Sequence, residues 1–249
     1  MNWKFKSIFF NFVALFSSTI SYEIIYFFQR NFGTLRSVNP IRMMEAGNTI
    51  VNSIKKNGKS ISGSNILEIG TGRMPIAPLV YFLCGANKIV TLDLNPYVKE
   101  GLFKDAILFI KNNIDIVHDV IGENLKQDRL DLLTSIATKK SFESLLELMK
   151  ITYIAPCDAQ KVPYEDGYFD FHTSWAVLEH IPRDILKNIL LEGGRLLKKD
   201  GLFVHHIDYT DHFSHSDKTI SAINFLQYSE KEWNKYAGNK FMYTNRLRH

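Results

Sequence analysis

Imidazole and carboxylate groups are concentrated in the segment LFVHHIDYTDHFSH, which begins at Leu202. Histidine accepts a proton near neutral pH, and a neighbouring carboxylate can orient its ring. These residue types at this spacing therefore indicate removal of a proton from a bound hydroxyl. The candidates are His206 or His212 as the base, with Asp208 or Asp211 as the orienting acid.

Two other interpretations of this segment stay open. A divalent cation held by Asp208, Asp211 and a histidine would acidify a bound hydroxyl. The spacing matches no strong metal motif, so we assign no metal site from the sequence. Alternatively, these side chains, together with His215, only satisfy one another's hydrogen bonds in a loop.

A glycine turn between two predicted strands is the element that could place a ligand. In ILEIGTGRMPIAP, residues 66–78, an apolar strand is followed by Gly70 and Gly72, which let the backbone turn sharply and approach a ligand closely. In KIVTLDLNP, residues 88–96, Asp93 follows a second apolar run and should emerge at the carboxyl end of that strand. The pattern indicates an α/β adenosine pocket. Pro75 replaces the third glycine of a dinucleotide fingerprint, so the nicotinamide pattern is incomplete.

A third segment, CDAQKVPYEDGYFDFHTSWAVLEHIP at residues 157–182, completes an ordered set of three motifs. It contains an Asp-Ala pair, a turn with proline, and a predicted strand that runs into VLEHIP. The set resembles the class I S-adenosylmethionine-dependent methyltransferases, particularly the small-molecule group similar to methyltransferase type 11. The resemblance covers residues 65–208 and implies S-adenosylmethionine as the cofactor.

The resemblance implies roles for residues of the glycine turn and the second strand. Glu68, Gly70 and Gly72 would surround the methionine part of the cofactor, and Asp93 would bind the ribose hydroxyls. The neighbouring cofactor-binding candidates are Thr71 and Leu94. Family glycine patterns often read GxGxG, and Met74 occupies the last of these positions here.

Residues of the third segment would complete the cofactor site. The resemblance puts Asp158 on the adenine amino group and lets the backbone of Ala159 contact the same ring. Ser174 and Trp175 would line the pocket near the sulfonium, where the indole ring could make a cation-π contact. His180, next to Glu179 in VLEHIP, would lie beside the substrate. Alternatively, this histidine at the start of a helix would only cap the helix or pack against neighbouring residues.

The expected fold is a Rossmann-like, doubly wound, mainly parallel sheet. We expect an N-terminal apolar or amphipathic helical segment over residues 1–60 and a cofactor-binding domain over residues 61–249. A helical insertion over about residues 100–150 has apolar residues at helical spacing. It would form a lid at the ligand edge, or else extend the core. No closing pair of antiparallel strands is recognisable before the end, so we expect either a truncated chain or amino-terminal helices that replace these strands, and NRLR favours truncation.

The amino terminus carries an unusual apolar stretch. MNWKFK is followed by SIFFNFVALFSSTISY and, after Glu23, by IIYFF. Asn11, a Ser-Ser-Thr cluster and Glu23 interrupt it, so an amphipathic helix is favoured over a membrane span. Such a helix would cover the domain, close over substrate or lie on a membrane surface.

Composition limits the partners. The chain has 249 residues, 45% of them hydrophobic, and a net charge of +4 without a long basic tract, so nucleic acid is not an expected partner. Cys84 and Cys157 form no metal motif or disulfide framework. We expect a cytoplasmic protein, with peripheral contact at the inner face of a membrane through the N-terminal segment. The oligomeric state does not follow from the sequence.

The expected function is O-methylation of a small polar acceptor. The HIDYTDHF and NRLR elements look like those of methyltransferases from surface-sugar or lipid pathways, which indicates a saccharide or a lipid-linked glycan intermediate. An N- or C-methyltransferase on the same fold is one alternative. A second is a module without catalysis that binds cofactor or assembles at a membrane.

Overall fold

The computed structural model describes residues 2–136 and 141–245, and the chain divides into two compact units. One, the sheet unit, comprises Val38–Val177 and Asp184–His206. The other, the terminal unit, comprises Met1–Ser37, Leu178–Arg183 and Ile207–His249. These bounds differ from the expected division at residue 60. Of the NRLR element, residues 246–248 lie outside the described residues.

Five parallel strands form the sheet of the sheet unit. They are β1 (Asn65–Ile69), β2 (Lys88–Leu92), β3 (Ile151–Ile154), β4 (Phe169–Trp175) and β5 (Leu197–His206). Their order is β3-β2-β1-β4-β5, so the chain moves outward from β1 to β3 and then crosses to the other side of β1. The carboxyl ends of β1 and β4 meet at this switch point, where such sheets bind ligands. The Rossmann-like fold expected from the sequence is confirmed.

Helices cover both faces of the sheet, because its strands are apolar on both sides. On one face, α3 (Ile41–Lys56) packs against α4 (Ile76–Leu83), and both helices contact strands. On the other face, α9 (Arg183–Leu196) contributes Leu196 to a cluster with β1 and β2 side chains. The helix α3 falls within the segment expected to be separate, yet it belongs to the sheet unit.

The described part of the helical insertion contains four α-helices. They are α5 (Glu100–Asn112), α6 (Ile114–Ile121), α7 (Gln127–Ile136) and α8 (Phe142–Leu148). The helix α6 packs on α3, α7 on α4 and α8 on β3. Leu102, Leu130 and Leu145 are almost completely buried. These contacts agree with the second of the two alternatives, in which the apolar stripes extend the core of the sheet unit.

The terminal unit is built around an aromatic cluster. Its helices are α1 (Trp3–Val13), α2 (Ser18–Phe32) and α10 (Glu230–Ala237). The side chain of Asn2 caps α1 by accepting from the amide of Lys4, 2.9 Å away. Trp3 packs with Phe213 and Trp233. Up to Asn245, the described chain has no strand after β5.

The apolar amino terminus forms two helices, α1 and α2, and residues 14–17 link them. Ser7 on α1 donates a hydrogen bond to the carbonyl of Tyr236 at 2.8 Å, which fixes one side of α1 on α10. Large apolar side chains on α1, α2 and the link between them are exposed, among them Phe5, Leu15 and Phe32. Among the described residues, no helix combines the length and the apolar character required to cross a bilayer.

Candidate functional site

A cleft of about 470 Å³ opens beside the switch point of the sheet unit. This volume is in the range of small-molecule and cofactor sites. Four of the expected cofactor residues line it, namely Glu68, Gly70, Thr71 and Trp175. Met74, which replaces a family glycine, lines it too. The strand β1, the turn after it and the end of β4 therefore meet at one cleft.

The glycine turn has the backbone shape that its sequence predicts. Gly70 has a φ of +87°, and a Cβ there would collide with the side chain of Val177. Gly72 has a φ of +68° with open space around it, so its conformation alone explains the glycine. The carboxylate of Asp93 accepts a hydrogen bond from the amide of Gly72 at 2.9 Å. Asp93 therefore holds the turn in place.

Glu68 is a buried carboxyl group at the cleft, with an exposed fraction of 3%. Its Oε2 accepts a hydrogen bond of 2.9 Å from the hydroxyl of Thr91, which shares another of 2.6 Å with the hydroxyl of Thr71. Burial raises the pKa of Glu68 to about 8, and the nearby charge of Asp93 adds to this effect. The acid is thus mainly protonated at neutral pH.

Burial also raises the pKa of Asp93, to about 6, although backbone amides of Gly72, Asn95 and Leu94 act in the opposite direction. The carboxylate accepts from the amides of Gly72 and Asn95. Burial therefore opposes the ionisation of both acidic groups, Glu68 and Asp93. Some expected cofactor residues are not among the described residues that line the cleft: Gly72, Asp93, Leu94, Asp158, Ala159 and Ser174.

Ser174 points away from the group of side chains that line the cleft. It is completely buried, and its hydroxyl lies 2.8 Å from Nδ1 of His205 on β5. Nε2 of His205 lies in turn 3.3 Å from Nδ1 of His172. Burial lowers the pKa of His172 to about 3 and that of His205 to about 4. Both rings are therefore neutral parts of the core.

The adenine candidates Asp158 and Ala159 lie in the loop after β3. Asp158 is exposed, and its Oδ1 accepts a hydrogen bond from the amide of Gln160 at 2.9 Å. Ala159 is partly buried against the core cluster of β1 and β2. Leu94, which follows Asp93, is largely exposed.

His206 lies at the end of β5 and stacks on Trp175. The two ring centroids are 3.8 Å apart and the planes differ by 11°. The amide of Ala176 donates to the carbonyl of His206 at 2.9 Å, which fixes the two strand ends together. Trp175 lines the cleft, and His206 is exposed. Among the five catalytic candidates, His206 is the one in the sheet unit.

The other catalytic candidates, His180, His212, Asp208 and Asp211, belong to the terminal unit. His180 and His212 have ring centroids 4.8 Å apart. Oδ2 of Asp208 lies 3.6 Å from Nε2 of His212 and 3.3 Å from Nε2 of His215. Burial acts to raise the pKa of Asp208, but hydrogen bonds from Thr210 and the nearby histidines hold it below its usual value.

The carboxylate of Asp211 is hydrogen-bonded to other residues of the same segment. Its Oδ1 accepts from the amide of Phe213 and its Oδ2 from the side-chain amide of Asn224, both at 2.9 Å. Burial raises the pKa of Asp211 above its usual value, although these bonds oppose the shift. The hydrogen bonds of Asp211 agree with the alternative left open from the sequence, in which this side chain only stabilises its own loop.

Polar residues of α3 at the cleft were not expected from the sequence. Arg42, Glu45 and Thr49 line it at successive turns of the helix. They were assigned to the separate N-terminal segment, because no motif connected that segment to the sheet. The i, i+3 and i+7 spacing of these polar residues is the signal that could have placed them on one helix face.

Parts of the chain are similar to known methyltransferases. The sequence profile of the methyltransferase domain, type 11, matches residues 115–205, which begin after the glycine turn. No curated protein sequence matches the chain. Among solved structures, a Methanococcus maripaludis protein assigned to the S-adenosyl-L-methionine-dependent methyltransferases is 16% identical, with a TM-score of 0.42 over 88% of this chain and 74% of that one.

A Bacillus halodurans protein assigned as a methyltransferase is 18% identical, with a TM-score of 0.38 over 76% of this chain and 66% of that one. Structural similarity at these TM-scores is too low to assign residues of the site. Three observations agree with one another: the profile match, the three ordered sequence motifs and the order of the parallel strands. Together they support an assignment to the class I S-adenosylmethionine-dependent methyltransferases, enzymes that take a methyl group from S-adenosylmethionine.

Proposed function

We propose that this enzyme transfers the methyl group to a hydroxyl oxygen of a small polar acceptor, of the saccharide or lipid-linked glycan class. The observation that carries the proposal is the stack of His206 on Trp175 at the edge of the cleft. Attack by a hydroxyl requires loss of its proton, and histidine is the side chain best suited to take it near neutral pH.

The cleft offers the polar groups that such an acceptor requires. Arg42, Glu45 and Thr49 are exposed at its α3 side. Charged and hydroxyl groups of this kind hydrogen-bond to sugar hydroxyls, whereas an apolar acceptor would leave them without partners. The same cleft contains Glu68 and Gly70, which the family resemblance assigns to the cofactor.

In this proposal, the residues of the switch point bind the cofactor. Glu68, Gly70 and Thr71 contact its methionine part, Asp93 its ribose, and Trp175 the region of the sulfonium. Methyl transfer is an in-line displacement, so the protein mainly aligns the acceptor oxygen with the methyl carbon and excludes water. His206 accepts the proton that the oxygen loses.

The test uses tritiated S-adenosylmethionine with free monosaccharides and polyprenyl-phosphate-linked sugars as acceptors. We expect label in an O-methyl product, which carbon NMR distinguishes from an N- or C-methyl product. His206→Gln should keep S-adenosylhomocysteine affinity in calorimetry and lose at least tenfold in turnover. The parallel variant His212→Gln tests the second histidine expected from the sequence. An unchanged turnover in His206→Gln would exclude it as the base.

We further propose that the terminal unit lies on a membrane surface. The support is the exposed apolar set on α1, α2 and their link, in which Leu15 is 82% exposed, together with the exposed basic residue Lys4 on α1. The protein should float with vesicles that contain phosphatidylglycerol. Leu15→Ser combined with Phe5→Ser should abolish flotation, while the control Leu191→Ser, which changes an exposed leucine of α9, should not. Equal flotation of all variants would contradict membrane contact.

A further inference from the structure

We propose that Glu179, His180 and His212 form a binding site for a divalent transition-metal ion, such as Zn²⁺, within the terminal unit. One donor atom from each residue lies within 4.8 Å of the other two. An equilateral triangle with 4.8 Å sides has its centre about 2.8 Å from each corner, so inward shifts of about 0.7 Å reach a zinc bond length of about 2.1 Å.

The carboxylate of Glu179 is the strongest sign of a ligand at this place. The residue is only 2% exposed, and its Oε1 accepts one hydrogen bond, from the amide of Asp208 at 3.3 Å. Its Oε2 is buried and has no hydrogen-bond partner among the described residues. A buried carboxylate oxygen without a partner is strongly unfavourable, so an ion or another group is expected to satisfy it.

His180 has the second-sphere contact that is typical of metal-binding histidines. Its Nδ1 lies 2.8 Å from the carbonyl oxygen of Tyr243. Because a carbonyl can only accept, this contact requires the proton on Nδ1 and leaves the lone pair of Nε2 available. Metal-ligating histidines commonly donate their other ring N–H to a carbonyl or carboxylate in this way. The backbone of Tyr243 thus selects the tautomer that binds metal.

His212 completes the set with a second imidazole. Its Nε2 is buried without a hydrogen-bond partner among the described residues, and the 3.6 Å to Oδ2 of Asp208 is too long for a hydrogen bond. A ring nitrogen that is buried without a protein partner is placed to bind a metal ion.

The chemistry of these donors decides the class of ion. Two imidazole nitrogens and one carboxylate oxygen suit zinc and similar divalent transition metals better than calcium or magnesium, which prefer oxygen ligands. Three protein ligands leave a coordination position open. The site differs from the cation alternative drawn from the sequence, because Asp211 uses both carboxylate oxygens in its own loop.

The experiment adds ZnCl₂ to the metal-free, full-length protein. Calorimetry should show one equivalent bound with a dissociation constant below about 1 μM, which would raise the melting temperature by mass action. Glu179→Gln and His212→Ala should each weaken zinc binding at least tenfold and remove this increase. The control His118→Ala, which changes an exposed histidine of α6, should behave as the wild type.

A Co²⁺ spectrum of the wild type gives a second measurement that needs no variant. Nitrogen and oxygen ligands give visible d–d bands without the intense near-ultraviolet band of a thiolate. Either a thiolate band or zinc binding unchanged in both Glu179→Gln and His212→Ala would overturn the proposal. So would the absence of zinc binding at 10-fold molar excess, and in that case a water molecule satisfies Glu179.

Discussion

The protonated carboxyl of Glu68 predicts that Glu68→Gln stabilises the ligand-free protein. The folded state holds this acid with a pKa of about 8, against an ordinary value of 4.5 in the unfolded chain. A group with a raised folded-state pKa contributes its full stability below the unfolded pKa. That contribution is lost as the pH rises toward the folded pKa. Glutamine is neutral in both states and has nearly the same shape, so it removes this dependence.

The magnitude follows from the two pKa values. At pH 7 the 2.5-unit excess of pH over 4.5 makes ionisation favour the unfolded chain by about 3 kcal/mol. The same term is about 1 kcal/mol at pH 5 and approaches about 5 kcal/mol at pH 9. The variant should therefore be more stable than the wild type by amounts that grow in this order, less about 1 kcal/mol if the amide weakens the bond to Thr91.

The assay is urea unfolding, followed by circular dichroism at pH 5, 7 and 9. The matched control is Glu45→Gln, because Glu45 lines the same cleft but is exposed. It makes the same chemical change, from Glu to Gln, at an exposed position of the cleft and so removes no buried acid. Its stability should stay within about 0.5 kcal/mol of the wild type at each pH.

Binding should change in the opposite direction to stability. S-adenosylmethionine carries a positive sulfonium, and an ionised Glu68 attracts it, while a glutamine does not. Glu68→Gln should therefore weaken S-adenosylmethionine binding at least tenfold at pH 8 and weaken neutral-sulfur S-adenosylhomocysteine binding less. If Glu68→Gln destabilised the protein at pH 7, or if its stability advantage did not grow with pH, the buried neutral acid would be refuted.

Three further predictions use paired or isosteric changes. Leu133→Ala should destabilise the protein by about 2–5 kcal/mol in urea unfolding, because the Leu133 side chain in α7 is fully buried. The control Leu132→Ala, at a position that is 43% exposed, should cost less than about 1 kcal/mol. Equal effects of the two substitutions would contradict the core role of the insertion. Gly193→Ala should destabilise the protein, since a Cβ would lie 2.7–3.0 Å from rings of β4 and β5. Gly194→Ala has open space around the new methyl group and should stabilise α9 by up to about 1 kcal/mol. Thermal unfolding compares the two variants, and the reverse order of stability would show that the rings move away from residue 193. Asp93→Asn should weaken S-adenosylhomocysteine binding about a hundredfold, or about 2.7 kcal/mol, in calorimetry, and an unchanged affinity would remove Asp93 from the ribose site.

Strand and turn positions were the features that the sequence indicated best. Apolar runs placed β1 and β2, and the positive φ values at Gly70 and Gly72 match the glycines that predicted the turn. These features depend on short-range rules: burial on both faces and backbone freedom at one residue. The mainly parallel, doubly wound arrangement of the strands was expected from the family resemblance.

Side-chain direction was predicted less well. Ser174 and Trp175 were both expected to line the pocket, although neighbouring residues of a strand point to opposite faces. The structure places Trp175 at the cleft and Ser174 against His205. Strict use of the period-two rule would have separated them. The role of α3 could not be predicted in this way, because packing of a distant helix depends on the whole core.

Buried carboxyl groups mark the proposed ligand sites of both units, and they do so by different means. Glu68 has a hydroxyl partner in Thr91 and a raised pKa, so the protein keeps it neutral until a cationic ligand favours its charge. Glu179 has one oxygen without a partner among the described residues, so hydrogen bonds alone do not satisfy it. Burial raises the pKa of both acids, and a positive ligand lowers the pKa of an adjacent carboxyl. Binding of S-adenosylmethionine at pH 7 should therefore release a proton from Glu68, whose pKa is about 8, and calorimetry in buffers of different ionisation enthalpy would measure that release. The absence of proton release would remove Glu68 as a buried acid that ionises beside the cationic ligand.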